Sequence, residues 1–233
     1  MKLLITGATG LVGKELVKKA LEQGMIIHYL TTHKSKTKII IGARGFYWNP
    51  SSQEIDSSCF EGVDVIVHLA GATISKRWTA AYKKIILASR VDSTRLLENA
   101  LKKTKGKNRV KQIIGASALG IYSNDFKNIV TEETEVSSNS FLERVVIDWE
   151  AATAVFKTMN IKVTTLRIGL VIAVNGGVVA AMKTPILFGL GAAFGNGSQG
   201  QSWIHIKDLV GIILFSVTTK LEGIYNAVAP NPV

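Results

Sequence analysis

The chain has 233 residues, of which 47% are hydrophobic and 7% aromatic, and it carries a formal net charge of +11 at pH 7. This composition excludes a disordered chain and is typical of one large globular domain, and no apolar run reaches the ~18 residues of a transmembrane helix. The basic residues are spread along the chain apart from one cluster at residues 102–111, which is expected to be a solvated helix end and turn. This cluster contains no aromatic side chain that could stack on a base, so the charge does not by itself indicate a nucleic-acid-binding protein.

Strands and helices alternate along the chain. Short apolar runs predict buried strands, and apolar residues three or four positions apart predict the helices that cover them. The predicted strands are residues 2–6, 25–31, 46–48, 63–69, 110–116, 162–168 and 223–228. The predicted helices are residues 12–23, 80–103, 140–159 and 206–217. This alternation predicts an α/β fold built on a doubly wound parallel sheet.

A glycine-rich turn joins the first predicted strand to the first predicted helix. A tight turn, a close approach of backbone N–H groups to a pyrophosphate, and helix–strand packing each favour a residue without a side chain. The N-terminal end of the helix adds a partial positive charge. The spacing here is G-x-x-G-x-x-G, which predicts a dinucleotide-binding loop. The predicted phosphate-binding residues are Gly7, Thr9, Gly10, Leu11, Val12 and Gly13.

The sequence becomes rich in glycine after residue 168. The glycines of this segment include Gly176, Gly177, Gly189, Gly191, Gly195, Gly197 and Gly200. Such a segment is typical of a loop-rich lobe beside a ligand crevice.

Several further motifs occur in order along the chain. They are residues 63–71 (VDVIVHLAG), 76–79 (KRWT), 89–91 (SRV), 117–122 (SALGIY), 149–150 (WE), 166–169 (LRIG), 189–191 (GLG) and 203–206 (WIHI). With the glycine turn, they resemble an atypical branch of the extended short-chain dehydrogenase/reductases. This branch is the NAD(P)-dependent epimerase/dehydratase-like family that includes the plant giant-chloroplast protein. The resemblance covers essentially the whole chain.

The resemblance implies a Rossmann fold in two parts. Residues 1–168 are expected to form the dinucleotide-binding domain. Residues 169–233 are expected to form a glycine-rich, substrate-side lobe interleaved with the last sheet elements. Members of the family continue beyond a motif like residues 229–233, so we expect this chain to be truncated or its tail to lie outside the sequence.

The resemblance also implies cofactor contacts beyond the phosphate loop. These residues are Leu69, Ala70, Gly71, Arg90, Ile168 and Gly169. An NAD enzyme usually has an acidic residue at the end of the second strand, where it binds the ribose 2′-hydroxyl. Residues 30–36 contain no carboxylate, whereas Thr32, His33 and Lys34 can supply donors and positive charge to a 2′-phosphate. We therefore predict NADP(H) as the cofactor, with NAD(H) as the alternative.

The Tyr-x-x-x-Lys pair that is usual in the superfamily is missing. No tyrosine is followed four positions later by a lysine, and residues 141–150 (FLERVVIDWE) hold apolar residues where the pair is expected. The resemblance places Ser117 at the catalytic serine, although alignment on Tyr122 places Ala118 there. We predict Ser117 and Tyr122 as candidates for proton transfer. The alternatives are a strand-end hydrogen bond for Ser117 and packing for Tyr122.

Two groups of residues are candidates for binding substrate. Lys76, Arg77 and Trp78 follow the fourth main predicted strand, and Trp203 and His205 lie in the segment that resembles the family's substrate lobe. Indole rings and cations together form an apolar wall with donors for an anion. We predict a small, polar, anionic substrate with Arg77 as a bidentate clamp. Packing for Trp78 and solvation for Lys76 are the alternatives.

These observations leave three functions of different classes. The first is an NADP(H)-dependent reductase, epimerase or dehydratase, and the second is a non-catalytic NADP(H)-binding regulator, either a redox sensor or a cell-division-linked protein. The third, a nucleic-acid binder, is supported by charge alone. The ligand spacing of a metal site is absent from the sequence, and His68 is expected to be a core residue.

The compartment follows from the start of the chain and from its cysteine content. The segment before Gly7 is too short for a signal peptide, and the single cysteine, Cys59, allows no internal disulfide. We therefore expect a cytoplasmic protein without membrane or nucleic-acid partners.

Overall fold

The computed structural model describes residues 1–104, 108–122, 129–174, 176–189 and 200–232. Gly191, Gly195 and Gly197 of the glycine-rich segment lie outside the described residues, as does Val233. Among the described residues, no helix is both long enough and apolar enough to cross a membrane.

A mixed sheet forms the centre of the molecule. The strands of the described residues are β1 (Lys2–Thr6), β2 (Ile26–Thr31), β3 (Ala43–Asn49), β4 (Glu54–Ile55), β5 (Val65–His68), β6 (Gln112–Ala118), β7 (Lys162–Ile168), β8 (Leu170–Ala173), β9 (Trp203–His205) and β10 (Gly223–Ala227). The main sheet has the order β10-β7-β6-β5-β1-β2-β3-β4. Neighbouring strands in this sheet are parallel, except that β3 and β4 are antiparallel.

Helices cover both faces of this sheet. They are α1 (Leu11–Glu22), α2 (Ala80–Lys103), α3 (Phe141–Ala154), α4 (Gly177–Leu187) and α5 (Ile206–Thr219). Leu3 and Ile5 of β1 pack in one core with Ile213 of α5, whereas Leu4 between them packs in a second core with Leu97 of α2. Because successive side chains of a strand point to opposite faces, each central strand contributes to both cores. The predicted doubly wound Rossmann fold is confirmed.

The helix predicted over residues 140–159 is shorter in the structure. It begins with a capping box in which the Glu143 N–H donates to Ser140 Oγ at 3.2 Å and the Ser140 N–H donates to the Glu143 carboxylate at 3.0 Å. The α-helix ends at Ala154 and continues as a 3-10 helix over Val155–Met159. Asn160, with φ 60°, then turns the chain towards β7. A periodic apolar pattern does not distinguish these two kinds of helix.

The segment after residue 168 contains elements that periodicity did not predict. β8 and β9 form a separate two-stranded parallel sheet of only four and three residues, too short for an alternating pattern to be recognised. α5 and β10 belong to the main fold, since β10 pairs with β7 and α5 contributes to the core. The domain boundary at residue 168 stays a prediction.

Candidate functional site

The turn between β1 and α1 brings three glycines into close contact with neighbouring backbone. Gly7 has φ +70°, a left-handed conformation that favours glycine. A Cβ on Gly7 would lie 2.9 Å from the Leu69 carbonyl carbon, and a Cβ on Gly13 would lie 2.1 Å from the Gly7 carbonyl oxygen. Only glycines therefore allow the loop to pack between α1 and the turn after β5.

The first turn of α1 is open to an anion. Gly10 is the N-cap and provides no side-chain cap, and the first turn contains no acidic residue. The Gly10 N–H donates to the Gly7 carbonyl at 2.9 Å and closes the loop below Thr9. The helix N–H groups that begin at Leu11 and Val12 carry the positive end of the helix dipole. A phosphate group fits this arrangement.

The turn after β5 lies against this loop and is held at both ends. The N–H groups of Leu69 and Ala70 donate to Thr6 Oγ1 at 3.1 and 3.0 Å. Further along, the Ala72 N–H donates to Ser89 Oγ of α2 at 2.9 Å. Leu69 and Ala70 are therefore adjacent to Gly7 in space, and the cofactor-binding role of this turn stays a prediction.

Arg90 of α2 contacts the same turn. Its guanidinium donates to the carbonyl oxygens of Ala72 at 3.3 Å and Ile86 at 3.0 Å, and it stacks 5.0 Å from the Trp149 ring. A Cβ on Gly71 would lie 3.3 Å from the Arg90 guanidinium carbon. Arg90 is thus engaged with the protein next to the predicted cofactor-lining turn.

His68 is a fully buried histidine beneath this turn. Its Nδ1 lies 2.7 Å from Thr6 Oγ1, and its Nε2 lies 3.0 Å from Thr94 Oγ1. Burial lowers the pKa of His68 to about 4. The expectation of a core histidine with satisfied ring nitrogens agrees with this geometry.

Acid is expected to destabilise the fold through His68. The unfolded chain binds a proton on this ring below its ordinary pKa of 6.5, whereas the folded chain does so only below about 4. The contribution of the neutral His68 ring to the free energy of unfolding is therefore fully present above pH 6.5. About 3 kcal/mol of it is lost as the pH falls to 4. Burial also lowers the pKa of His28, which adds to the same loss. Urea unfolding at several pH values between 6.5 and 4 measures how steeply the free energy of unfolding falls with pH.

In the His68→Asn variant, the free energy of unfolding is expected to fall less steeply with pH. His33→Gln, at an exposed position, serves as the matched control. An NMR titration of the wild-type chain checks the assignment independently. A His68 ring that titrates at its ordinary pKa would contradict this origin of the acid sensitivity.

The end of β2 is exposed to solvent. Thr32, His33 and Lys34 are all exposed, and the His33 N–H donates to Thr31 Oγ1 at 3.3 Å. The Lys34 ammonium lies 4.9 Å from the centre of the Tyr47 ring. The side chains of Thr32, His33 and Lys34 therefore remain accessible to a ligand at this strand end.

Ser117 and Tyr122 belong to one buried polar network. Ser117 Oγ donates to Glu150 Oε1 at 2.5 Å, and Arg167 holds both oxygens of the Glu150 carboxylate at 2.9 Å. Arg167 also donates to the Tyr122 hydroxyl at 2.8 Å, and this hydroxyl donates to Asn226 Oδ1 at 2.8 Å. Both hydroxyl groups are thus engaged with neighbouring side chains, and their role in proton transfer stays a prediction.

The part of α3 that packs on the segment after β6 is apolar, one turn before Glu150. Val146 packs with Ile121 and Tyr122 in a small buried cluster. Leu142, one turn earlier, lies 3.8 Å from the position of a Cβ on Gly120. Leu142 and Val146 have the i, i+4 spacing of a Tyr-x-x-x-Lys pair, and neither side chain can transfer a proton.

The loop that carries Lys76, Arg77 and Trp78 is exposed and folds on itself. Trp78 Nε1 donates to the Ile74 carbonyl at 2.8 Å, and the Trp78 ring lies 5.7 Å from the Phe141 ring. This tryptophan therefore shapes the loop while part of its ring remains exposed. Lys76 lies 5.6 Å from the Tyr82 ring, and Arg77 is exposed.

Trp203 and His205 lie on β9. The Trp203 indole nitrogen is buried and has no acceptor among the described residues. His205 caps α5, since its Nδ1 accepts from the Lys207 N–H at 3.3 Å, and it lines a cleft of about 610 Å³ together with Thr9 and Gly10. Within the described part of the chain, no hydrogen bond or ring contact joins this pair to the Trp78 loop. A shared substrate site therefore stays a prediction.

Ile168 is the last residue of β7, and Gly169 comes directly after it. A Cβ on Gly169 would lie 2.7 Å from the Ser202 carbonyl oxygen, so the glycine allows β9 to approach. The backbone therefore forms a close corner where β7 leads into β8, at the same edge of the sheet as the phosphate loop.

Sequence reasoning missed the roles of Thr6, Glu150, Arg167 and Asn226. Glu150 and Arg167 occur in recognised motifs, but their pairing depends on the register of distant strands. Ser117 and Arg167 are opposite each other in β6 and β7, which places both side chains on the α3 face. A prediction that β6 and β7 are neighbours in the sheet would have placed Ser117 and Arg167 side by side.

The sequence profile of the NAD dependent epimerase/dehydratase family matches residues 3–227. An epimerase family protein of Staphylococcus saprophyticus is 36% identical in an alignment that covers 97% of this chain and 74% of the relative. A human epimerase family protein crystallised with NADPH is 26% identical, with a TM-score of 0.80 over 99% of this chain and 75% of that one.

A nucleoside-diphosphate sugar epimerase from Corynebacterium glutamicum is 33% identical, with a TM-score of 0.83. It matches all of this chain, which covers 47% of that protein. These similarities, together with the glycine loop and the parallel sheet, confirm the resemblance found in the sequence. The chain belongs to the NAD dependent epimerase/dehydratase family, as an atypical extended short-chain dehydrogenase/reductase.

Proposed function

We propose that this chain is an NADP(H)-dependent epimerase, dehydratase or reductase that acts on a small, polar, anionic substrate. The observation that carries the proposal is the phosphate loop, in which Gly7 and Gly13 pack the open end of α1 against the turn after β5. The human relative was crystallised with NADPH, which supports a dinucleotide at the same loop.

The proposed cofactor site extends from this loop along the carboxyl edge of the sheet. Gly7, Thr9, Gly10, Leu11, Val12 and Gly13 would hold the pyrophosphate. The turn of Leu69, Ala70 and Gly71, supported by Arg90, would line the cofactor. Ile168 and Gly169 would lie at the nicotinamide end. The bound group supplies hydride transfer, and the protein orients it.

Lys34 is expected to determine the preference for NADP(H). Its exposed ammonium at the end of β2 can pair with a 2′-phosphate, which NAD(H) lacks. We expect calorimetry to give a lower Kd for NADPH than for NADH, and Lys34→Ala to raise the Kd for NADPH about tenfold. Lys19→Ala, at the far end of α1, is the control. Equal Kd values for both cofactors in the wild-type chain would contradict this assignment.

The substrate is proposed to lie above the cofactor at the carboxyl ends of the strands. Arg77 and Lys76 supply positive charge, and Trp78 supplies a partly exposed ring on the same loop. Trp203 and His205 are proposed to close the site from β9. The nucleoside-diphosphate sugar epimerase relative supports a polar substrate with negative charge.

A second candidate function is a non-catalytic NADP(H)-binding regulator. It is favoured by the apolar Leu142 and Val146 on α3 and by the engagement of both candidate hydroxyl groups, Ser117 and Tyr122, in the protein. A screen of carbonyl and sugar-nucleotide substrates distinguishes the two. Absorbance of the reduced nicotinamide reports a reductase, and NMR of the products reports an epimerase or dehydratase, which leaves the cofactor unchanged. Turnover that is lost in Ser117→Ala or Tyr122→Phe supports the enzyme, and cofactor binding without any turnover supports the regulator.

A further inference from the structure

We propose that the amino-terminal edge of the main sheet carries a second ligand site, which binds a small organic phosphate with an apolar body. The inference goes beyond the proposed function and does not rest on it, because the dinucleotide is placed at the opposite, carboxyl edge. The site, called here the amino-edge cleft, has a volume of about 740 Å³. Its lining residues are Met1 and residues within 64–65, 111–112, 157–162 and 217–222.

The amino-edge cleft lies where the main sheet meets the end of α5. Its residues come from the amino ends of β5, β6 and β7 and from the last turn of α5. Sites for small molecules have volumes of about 300–1,000 Å³, with an apolar lining and a few polar groups. The size of the cleft is therefore that of a small-ligand site.

The rim of the cleft carries an excess of positive charge. Four exposed lysines line it, and none of them makes an ion pair within the described residues: Lys111, Lys157, Lys162 and Lys220. Lys111 directly precedes β6 and Lys162 begins β7, and the Lys162 N–H donates to the Lys111 carbonyl at 2.9 Å. Their ammonium groups repel each other, and a bound anion offsets this repulsion.

The acidic residues of the cleft do not cancel this charge. The Asp64 carboxylate accepts from the Lys2 N–H at 2.7 Å, and Arg109 Nε lies 3.0 Å from it, so Asp64 is already engaged with the protein. Glu222 is the other lining carboxylate, and it is exposed. Four ammonium groups against one further carboxylate favour a dianion, and a phosphate monoester carries about −1.5 to −2 at pH 7.

The floor of the cleft is largely apolar. Val65 and Ile161 line it together with Val217 of α5, and all three are buried. The aliphatic stems of the lysines extend this apolar surface towards the rim. A ligand with its phosphate at the rim and an apolar body on the floor matches both parts.

Gln112 adds one polar group to this floor. Its amide nitrogen donates to the carbonyl oxygens of Ser216 and Leu221, at 3.0 and 2.9 Å. Because a carbonyl oxygen can only accept, the amide cannot be turned round, and its Oε1 is left buried without a donor among the described residues. A buried acceptor in this state is unfavourable until a bound molecule donates to it.

An NMR titration with phenyl phosphate tests the site. We expect a Kd of about 1 mM and shifts in the amide signals of residues 111–112 and 161–162, both with and without NADPH. Inorganic phosphate lacks the apolar body and benzyl alcohol lacks the charge. Each is expected to bind at least about tenfold more weakly than phenyl phosphate.

Two double variants locate the charge that binds the probe. Lys111→Ala combined with Lys162→Ala is expected to raise the Kd for phenyl phosphate about tenfold. Lys14→Ala combined with Lys18→Ala removes the same charge from exposed positions on α1, and it should stay within about twofold of the wild type. If the first variant does not fold, glutamine at the same two positions repeats the test.

Three results would overturn the site. They are shifts confined to the phosphate loop, equal Kd values for phenyl phosphate and inorganic phosphate, and an unchanged Kd in the Lys111 and Lys162 variant. Absence of binding at about 10 mM phenyl phosphate, tenfold above the expected Kd, would also do so. If the wild-type chain binds no NADPH, the proposed function fails, whereas the titration without NADPH still decides the amino-edge cleft.

Discussion

Replacing Gly13 with alanine is expected to weaken NADPH binding by roughly 100-fold and to destabilise the fold by about 3 kcal/mol. The new Cβ would lie 2.1 Å from the Gly7 carbonyl oxygen and 2.7 Å from Ala8 Cα. Both contacts are with backbone, so no side chain can rotate away to relieve them. α1 must move from β1, and the phosphate loop must move with it. Calorimetry with NADPH and urea unfolding measure the two effects.

Gly211→Ala is the matched control for this change. Gly211 lies within α5, and a Cβ there would meet no atom within 4 Å. The same substitution is therefore expected to leave NADPH binding unchanged and to stabilise the helix by about 0.5–1 kcal/mol. Tight NADPH binding by Gly13→Ala would show that the loop does not need this close approach.

The features that the sequence predicted correctly depend on local patterns. β1, α2 and β7 have the predicted bounds, because strand-like runs and helical apolar spacing can be recognised within the segments themselves. The role of Gly7 could also be anticipated, since a glycine directly after a buried strand, at the start of a turn into a helix, is typical of a phosphate-binding loop. Such signals need only a short stretch of chain.

The features that were missed depend on contacts between distant residues. Glu150 and Arg167 are 17 positions apart, and Tyr122 and Asn226 are 104 positions apart. Their meeting follows from the order of β6, β7 and β10, which no local pattern contains. For this reason Ser117 and Tyr122 were recognised as chemically notable, but the hydrogen bonds that occupy them were not.

Breaking the ion pair of Glu150 and Arg167 is expected to destabilise the fold by about 3–5 kcal/mol. The two side chains are only 13% and 5% exposed, and they share two hydrogen bonds of 2.9 Å. Glu150→Leu leaves a buried guanidinium with the Tyr122 hydroxyl as its remaining partner in this network. Because hydrogen bonding to Glu150 raises the pKa of Arg167, the guanidinium stays charged in the wild-type chain at any pH used for unfolding.

A double-mutant cycle separates the ion pair from packing. Arg167→Met alone leaves the Glu150 carboxylate with Ser117, and Glu150→Leu combined with Arg167→Met removes both charges. We expect the double variant to be less destabilised than the sum of the single variants by about 2 kcal/mol or more, because neither charge remains buried without its partner. Ser117→Ala should cost about 1.5–3 kcal/mol, since it removes one hydrogen bond to a charged group. Additive effects in urea unfolding would show that the two charges act independently in the fold.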